Sequence, residues 1–304
     1  MKRAGYISLL GLPNAGKSTL MNACIGRKLA AVSARAQTTR RQILGISAYE
    51  DSQLIFCDTP GIHNLKTLSS LNKSMLREAW ESVRNSDVVC YLVDLTQGLT
   101  KKDLEYLSFL SQNYENLKIL LFGTKKDRYK KYLREEKWEK ILLEIKETLP
   151  KINEKISGNL LISSKDNLDI EKIKRTLSKT VPEGDWLFEE ERVTDKSKEF
   201  ICAELVRENI FRGFSKEIPY KCAVKVTKFE ESKNLVSISA EIIVETKGQK
   251  IIIIGKSGEK IKAIGIKSRQ SIEDFLKKKV FLSLFVKVVK NWSSNFSSED
   301  NILS

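Results

Sequence analysis

Residues 11–18 read Gly-Leu-Pro-Asn-Ala-Gly-Lys-Ser, and no other stretch limits the fold so tightly. The string satisfies G-x-x-x-x-G-K-[ST] at each fixed position. An apolar run, residues 6–10, leads in, and a helix-compatible stretch, residues 18–24, leads out. Strand, glycine loop and helix in that order set the loop amides at a helix N-terminus, where they meet anionic oxygens. Gly11, Asn14, Ala15, Gly16, Lys17, Ser18 and Thr19 are therefore expected to cradle a nucleotide's phosphates. Lys17 lies along the β- and γ-phosphates in that arrangement, and the Ser18 hydroxyl ligates Mg²⁺.

The first 180 residues alternate short apolar runs (7–10, 54–57, 88–93, 119–122, 160–163) with stretches of helical periodicity (68–83, 102–110, 133–149, 168–180). Such alternation predicts an α/β fold, a mostly parallel sheet with helices on both faces. Residues 43–49 pair with 53–57 through the turn at 50–52, giving one antiparallel edge strand. Residues 27–42 are polar and basic, lack clear periodicity and read as a long mobile loop. The pattern breaks at Val181-Pro182-Glu183-Gly184-Asp185, and an acidic stretch follows to Glu191. Pro and Gly stop a helix there. The expected organisation is a domain over 1–180, a linker over 181–193, a second domain over 194–292 and a flexible tail over 293–304. In the second domain the order is helix (195–211), strand (221–229), strand (235–245), a basic helical region (259–279) and strand (282–291).

Four more segments follow the phosphate loop in the order of a GTPase. Asp58-Thr59-Pro60-Gly61 ends one apolar run, with Asp58 placed to hold Mg²⁺ through water and the Gly61 amide to sense the γ-phosphate. Thr124-Lys125-Lys126-Asp127 ends another. Asp127 can accept from guanine N1–H and the N2 amino group, whereas adenine presents a bare acceptor at N1; a buried mismatch of that kind discriminates strongly. Lys125 lays its stem along the base. Ser163-Ser164 supports the base edge, and Thr38 or Thr39, with Thr39 favoured, completes the Mg²⁺ shell when GTP is bound. Asp58–Gly61, Thr124–Asp127 and Ser163–Ser164 each sit at the carboxyl end of a predicted strand, where ligands bind in open α/β sheets, while Thr38 and Thr39 lie in the mobile loop.

Composition narrows the rest. No window is apolar for the ~18 residues a membrane span needs, and the expected compartment is the cytoplasm. The five cysteines show no C-x-x-C spacing, and buried, reduced thiols are expected. His63 is the only histidine, which excludes a histidine metal cluster. The net charge is +14, and residues 247–290 carry 12 basic against 3 acidic side chains. So one-sided a cluster points to a polyanion, either RNA or an anionic membrane face.

That cluster surrounds Gly255-Lys256-Ser257-Gly258, a G-x-x-G that follows the apolar run Ile251-Ile252-Ile253-Ile254 and opens a helix with Ile261, Ile264 and Ile266 expected to face inward. The element order, helix–strand–strand–helix–helix–strand, is similar to an α+β type II KH domain. The resemblance implies an RNA or single-stranded DNA clamp in which the glycines let the backbone approach. Lys256 and Ser257 then contact phosphate or sugar, and Lys260, Lys262, Lys267 and Arg269 supply salt-dependent attraction. Ile253, Ile254 and Ile261 form the apolar floor. An anionic lipid surface is the alternative occupant, which would make the chain a membrane-recruited interaction protein.

G-L-P-N-A-G-K-S, Q-T-T-R, D-T-P-G and T-K-K-D resemble the translation-factor-related GTPases of the Era type, and the resemblance covers nearly the whole chain. It implies a monomeric GTPase that binds GTP and GDP with Mg²⁺. The implied partners are the 3′ end of 16S rRNA and the 30S ribosomal subunit during its assembly, with peripheral contact to the inner membrane. One departure stands out: Thr124 occupies a position where the family usually has Asn, which bonds guanine N7 and ties its loop to the phosphate loop. Ile62, just after D-x-x-G, cannot orient water as the Gln of Ras-like enzymes does, so intrinsic hydrolysis is expected to be slow. In related GTPases with an apolar residue there, the Asn matching Asn14 helps hold a K⁺ ion against the phosphates. The expected catalytic set is Lys17, Thr39, Asp58, Gly61 and Asn14.

Overall fold

The computed structural model describes residues 1–32, 42–59, 77, 79–215, 217–290 and 292. These form two compact units. Residues 1–26, with the described residues from 42 to 195, make the first; 27–32 and the residues from 196 onward make the second.

The first unit is built on a six-stranded sheet ordered β2-β3-β1-β4-β5-β6. Its strands are β1 (Arg3–Gly11), β2 (Ile43–Tyr49), β3 (Ser52–Asp58), β4 (Val88–Asp94), β5 (Ile119–Thr124) and β6 (Ile156–Leu161). All neighbours run parallel except β2 against β3, the expected antiparallel edge. β3, β4 and β5 are buried along their whole lengths. Helices cover both faces of a parallel sheet, so its central strands read as unbroken apolar runs rather than alternations. β6, at the other edge, keeps exposed positions, which is why its apolar run, read from sequence at 160–163, sits late by several residues.

Its helices include α1 (Lys17–Ile25), α2 (Lys101–Asn113), α3 (Lys131–Thr148), the single turn α4 (Pro150–Asn153) and α5 (Asn167–Thr180). Thr100 and Asp103 cap α2 reciprocally, and Asp103 also accepts from the buried Tyr91 hydroxyl at 3.0 Å. Tyr91, Tyr106, Leu107, Trp138, Ile141 and Ile145 form the core on the α2/α3 side of the sheet.

The acidic stretch after α5 is held on this unit. Gly184 N–H donates to Lys2 O, Arg3 pairs with Glu183 at 3.0 Å, and the Gln53 amide bonds Leu187 and Phe188 main-chain groups. Ile46 N–H donates to Val193 O, and Leu44 N–H to the Asp195 carboxylate. The stretch thus covers the free edge of β2, whose unpaired amides would otherwise invite another strand.

The second unit follows the helix–strand–strand–helix–helix–strand order: α6 (Lys198–Gly213), β7 (Cys222–Glu231), β8 (Leu235–Val244), α7 (Lys247–Ile254), α8 (Glu259–Leu276) and β9 (Lys279–Val288). β8 is central, antiparallel to β7 and parallel to β9. Ser197 caps α6, and Thr246 with Gln249 closes a capping box on α7. All five cysteines are buried free thiols. No helix among the described residues is long and apolar enough to cross a membrane.

Candidate functional site

Gly11 closes β1 at φ +141°, and a Cβ there would lie 2.5 Å from the Leu92 carbonyl oxygen of β4, so only glycine fits. The loop then turns through Asn14 at φ +64° and Gly16 at φ +101°. α1 begins at Lys17 with no side-chain cap and no acidic residue in its first turn. The positive end of its dipole suits an anion. Ala15 is buried in the loop, and Thr19 is half-buried just inside the helix.

Lys17 is 6% exposed, and its Nζ donates to Gly11 O at 3.0 Å and Leu12 O at 3.1 Å. Burial pushes the ammonium down to about 8, partly opposed by Asp58. Ser18 Oγ donates to Asp58 Oδ2 at 2.6 Å, and Asp58 is fully buried at the end of β3. A hydroxyl beside a carboxylate is the hard oxygen donor set that suits Mg²⁺. Thr38, Thr39, Gly61, Ile62 and His63 lie outside the described residues.

The base-edge segments converge from the ends of β4, β5 and β6. Thr124 Oγ1 donates to Ala15 O at 2.8 Å and approaches Val93 O at 3.3 Å. The hydroxyl thus ties its loop to the phosphate loop. Lys125 takes φ +61° and pairs with Asp94 at 2.6 Å. Asp127 accepts from Ser163 Oγ at 2.9 Å and Lys165 Nζ at 3.0 Å. Burial pushes its carboxyl up, but Lys165 and Ser163 more than offset this and leave it below the usual range. Asp169 accepts from Ser163 N–H at 2.7 Å and pairs with Lys126 at 2.5 Å. Ser164 is half-buried beside them.

Sequence reasoning singles out neither Asp94, Lys165 nor Asp169. Asp94 carried a signal, since it ends an apolar run as Asp58 does. The roles of Lys165 and Asp169 depend on how α5 starts, which spacing alone does not show.

In the second unit, Gly255 (φ +74°), Ser257 (φ +51°) and Gly258 (φ +81°) turn the chain tightly between α7 and α8. A Cβ at Gly258 would meet nothing within 4 Å, so the space above it is open, with Lys256 and Ser257 exposed beside it. Along α8 and β9 runs a groove of about 340 Å³ lined by Ile261, Lys262, Gly265, Ile266 and Arg269 from the helix and by Val280, Phe281, Leu282 and Leu284.

The floor differs from the sequence expectation. Ile253 is fully buried in the core, Ile254 is half-buried, and neither lines the groove; Ile261 does. Ile266 is 46% exposed rather than inward. It sits about 200° around the helix from Ile264, so the two cannot share a face; Ile264, Ser268 and Ile272 form the buried stripe. Lys262 and Arg269 flank the groove. Lys260 instead lies against Gly255 with its ammonium 5.7 Å from the Phe214 ring centre, and Lys267 is exposed but does not line the groove.

This fold and these strand-end segments define a P-loop GTPase domain joined to a KH domain. Residues 6–125 match the family described as 50S ribosome-binding GTPase, and residues 217–293 match the KH domain family. The chain is 39% identical to GTPase Era of Pseudomonas putida over 295 residues, 96% of this chain and 94% of that one. GTPase Era of Pseudomonas aeruginosa is 37% identical over 96% of this chain and 92% of its own. A crystal structure of Era in complex with MgGDPNP and nucleotides 1506–1542 of 16S ribosomal RNA superposes with TM-score 0.85 at 33% identity, covering 97% of this chain and 96% of that one. Aquifex aeolicus Era bound to GDP and aluminium fluoride matches equally well, with TM-score 0.85 at 33% identity over 96% of each chain. The chain belongs to the Era family of GTPases.

Proposed function

We propose that this chain is a GTP-hydrolysing switch that binds the 3′ region of 16S rRNA and acts in assembly of the 30S subunit, in the cytoplasm. The observation that carries the reading is the pairing, in one chain, of a phosphate loop and base-edge segments at the strand ends with an open Gly-x-x-Gly groove. It is supported by the Era complex that holds MgGDPNP and 16S rRNA together.

In this reading the amides of residues 14–18 and the Lys17 ammonium bind the phosphates. Lys17 releases the loop carbonyls it now holds and takes the phosphate oxygens in their place. Ser18 and Asp58, with Thr39, would hold Mg²⁺, which would supply charge neutralisation at the phosphates. Asp127 reads guanine N1–H and the N2 amino group, and the Lys165 ammonium now on it gives way to the base. Lys125, held by Asp94, flanks the base, and Ser163 and Ser164 support its edge. Asn14 would hold K⁺, which would supply positive charge beside the phosphates. Ile254 through Gly258, with Lys262 and Arg269, take the RNA backbone, and bases lie on Ile261, Gly265 and Ile266.

Gly258→Asp tests the RNA half. It sets a carboxylate in the open space above the turn, where a backbone phosphate would come. Binding of a short single strand matching the rRNA 3′ end should be lost, with GDP affinity unchanged. RNA binding that survives the substitution would overturn the assignment.

A further inference from the structure

Asp127, assigned above to the guanine edge, lies between the segments that follow β5 and β6, and one buried acid touches both. Asp169 stands in the first turn of α5 and is 6% exposed. An acid there ordinarily serves its own helix, as part of a capping box or against the dipole. The cap of α5 is instead Asp166, whose side chain accepts from Leu168 N–H. Both oxygens of Asp169 are engaged off the helix. Oδ2 accepts from Ser163 N–H at 2.7 Å, in the segment after β6, and Oδ1 pairs with Lys126 Nζ at 2.5 Å, in the segment after β5. Lys126 Nζ also lies 3.7 Å from Asp166 Oδ2.

These contacts bracket Asp127. Lys126 precedes it in the chain, and Ser163 donates from Oγ to Asp127 Oδ1 at 2.9 Å. The main chain adds a further tie, from Lys126 N–H to Ile162 O at 3.2 Å. Lys165 Nζ lies 3.0 Å from the other oxygen of Asp127, but that side chain is 71% exposed. An exposed ion pair is weak, so it does little to fix the carboxylate. Stability alone does not call for Asp169 either, because a buried ion pair adds little over apolar side chains of similar size. Its effect is geometric. One carboxylate holds both the residue before Asp127 and the residue whose hydroxyl bonds Asp127.

We propose that Asp169 is a positioning residue for guanine specificity, acting on Asp127 through Ser163 and Lys126. The inference rests on the guanine-reading role of Asp127 proposed above. A carboxylate accepts from both N1–H and the N2 amino group of guanine only when its two oxygens are aligned with them. Hypoxanthine keeps N1–H and lacks the amino group, so the preference for GDP over IDP reports that alignment. A hydrogen bond to a charged acceptor contributes roughly tenfold to a hundredfold, and the unsubstituted chain should favour GDP by that order.

The test measures GDP and IDP dissociation constants for the full chain, for Asp169→Asn and for Lys126→Met. Asp169→Asn keeps an acceptor for Ser163 N–H and loses the charge that holds Lys126. Lys126→Met removes the same ion pair from the other side. Both variants should weaken GDP more than IDP, so that the preference for GDP shrinks about threefold or more. Lys126→Arg, which keeps the charge pair, should retain the preference. A role confined to stability would weaken both nucleotides by one factor and leave their ratio in place, so an unchanged ratio in both variants would overturn the role of Asp169. If Asp169→Asn does not fold, the ratio in Lys126→Met decides alone. An unsubstituted chain that binds GDP and IDP equally would instead overturn the reading of Asp127, and this role with it.

Discussion

Burial holds the Lys17 ammonium at about 8, well below the ordinary lysine value of 10.5. Among the described residues, Nζ donates to the neutral carbonyls of Gly11 and Leu12. A diphosphate against it favours the charged form and raises the group again. Nucleotide binding must therefore take up a proton wherever free Lys17 is partly neutral. With a free value near 8, the neutral fraction is ~0.1 at pH 7 and ~0.75 at pH 8.5. GDP binding should take up those fractions of a proton, and the GDP dissociation constant should rise about fourfold between the two pH values. Titration calorimetry in buffers of different ionisation heat, at fixed Mg²⁺ and salt, reads the uptake directly. Lys17→Arg keeps a cation that does not titrate and should show no such uptake. The sign for stability runs the other way. The unfolded lysine stays protonated up to 10.5, so between pH 8 and 10.5 the unfolded chain binds more protons, and the nucleotide-free fold gains stability as pH rises. Heat independent of buffer at pH 8.5, or equal uptake in Lys17→Arg, would refute the argument.

Other substitutions probe the rest of the site. Thr124→Val removes the donor to Ala15 O and should destabilise the first unit by about 1–3 kcal/mol, seen in thermal unfolding, and weaken GDP binding with it. Gly11→Ala forces a Cβ to 2.5 Å from Leu92 O at φ +141°; the strain should cost several kcal/mol, on the order of the largest single-residue effects, measured by urea midpoint. Arg269→Ala and Lys262→Ala should each reduce the salt slope of RNA binding by about 0.7, the increment for one phosphate contact on a single strand. Single-turnover hydrolysis should run faster in K⁺ than in Na⁺, and Asn14→Ala should remove the difference.

Much of the first unit was legible because its determinants are local. The phosphate loop fixes a strand, a turn and a helix within one short string. β3, β4 and β5 are buried on both faces, so their apolar runs stand out. The groove was not legible in the same way. Four consecutive isoleucines read as one apolar run, but on a helix they point in four directions, and Ile253 is buried while Ile251 and Ile252 are exposed. The groove's other wall, Val280 to Leu284, is distant in sequence and is brought there only by β9 pairing parallel to β8. Asp169 left no sequence signal either. An acid in the first turn of a helix reads as serving that helix, and only the structure places Ser163 and Lys126 on its two oxygens.

Affinity for a short single-stranded RNA matching the 16S rRNA 3′ end, measured by filter binding with the protein loaded with GDPNP and again with GDP, tests the central claim most directly. Tighter binding in the GDPNP form, lost on Gly258→Asp, is the predicted result. Equal affinity in the two forms would contradict a nucleotide switch coupled to an RNA clamp.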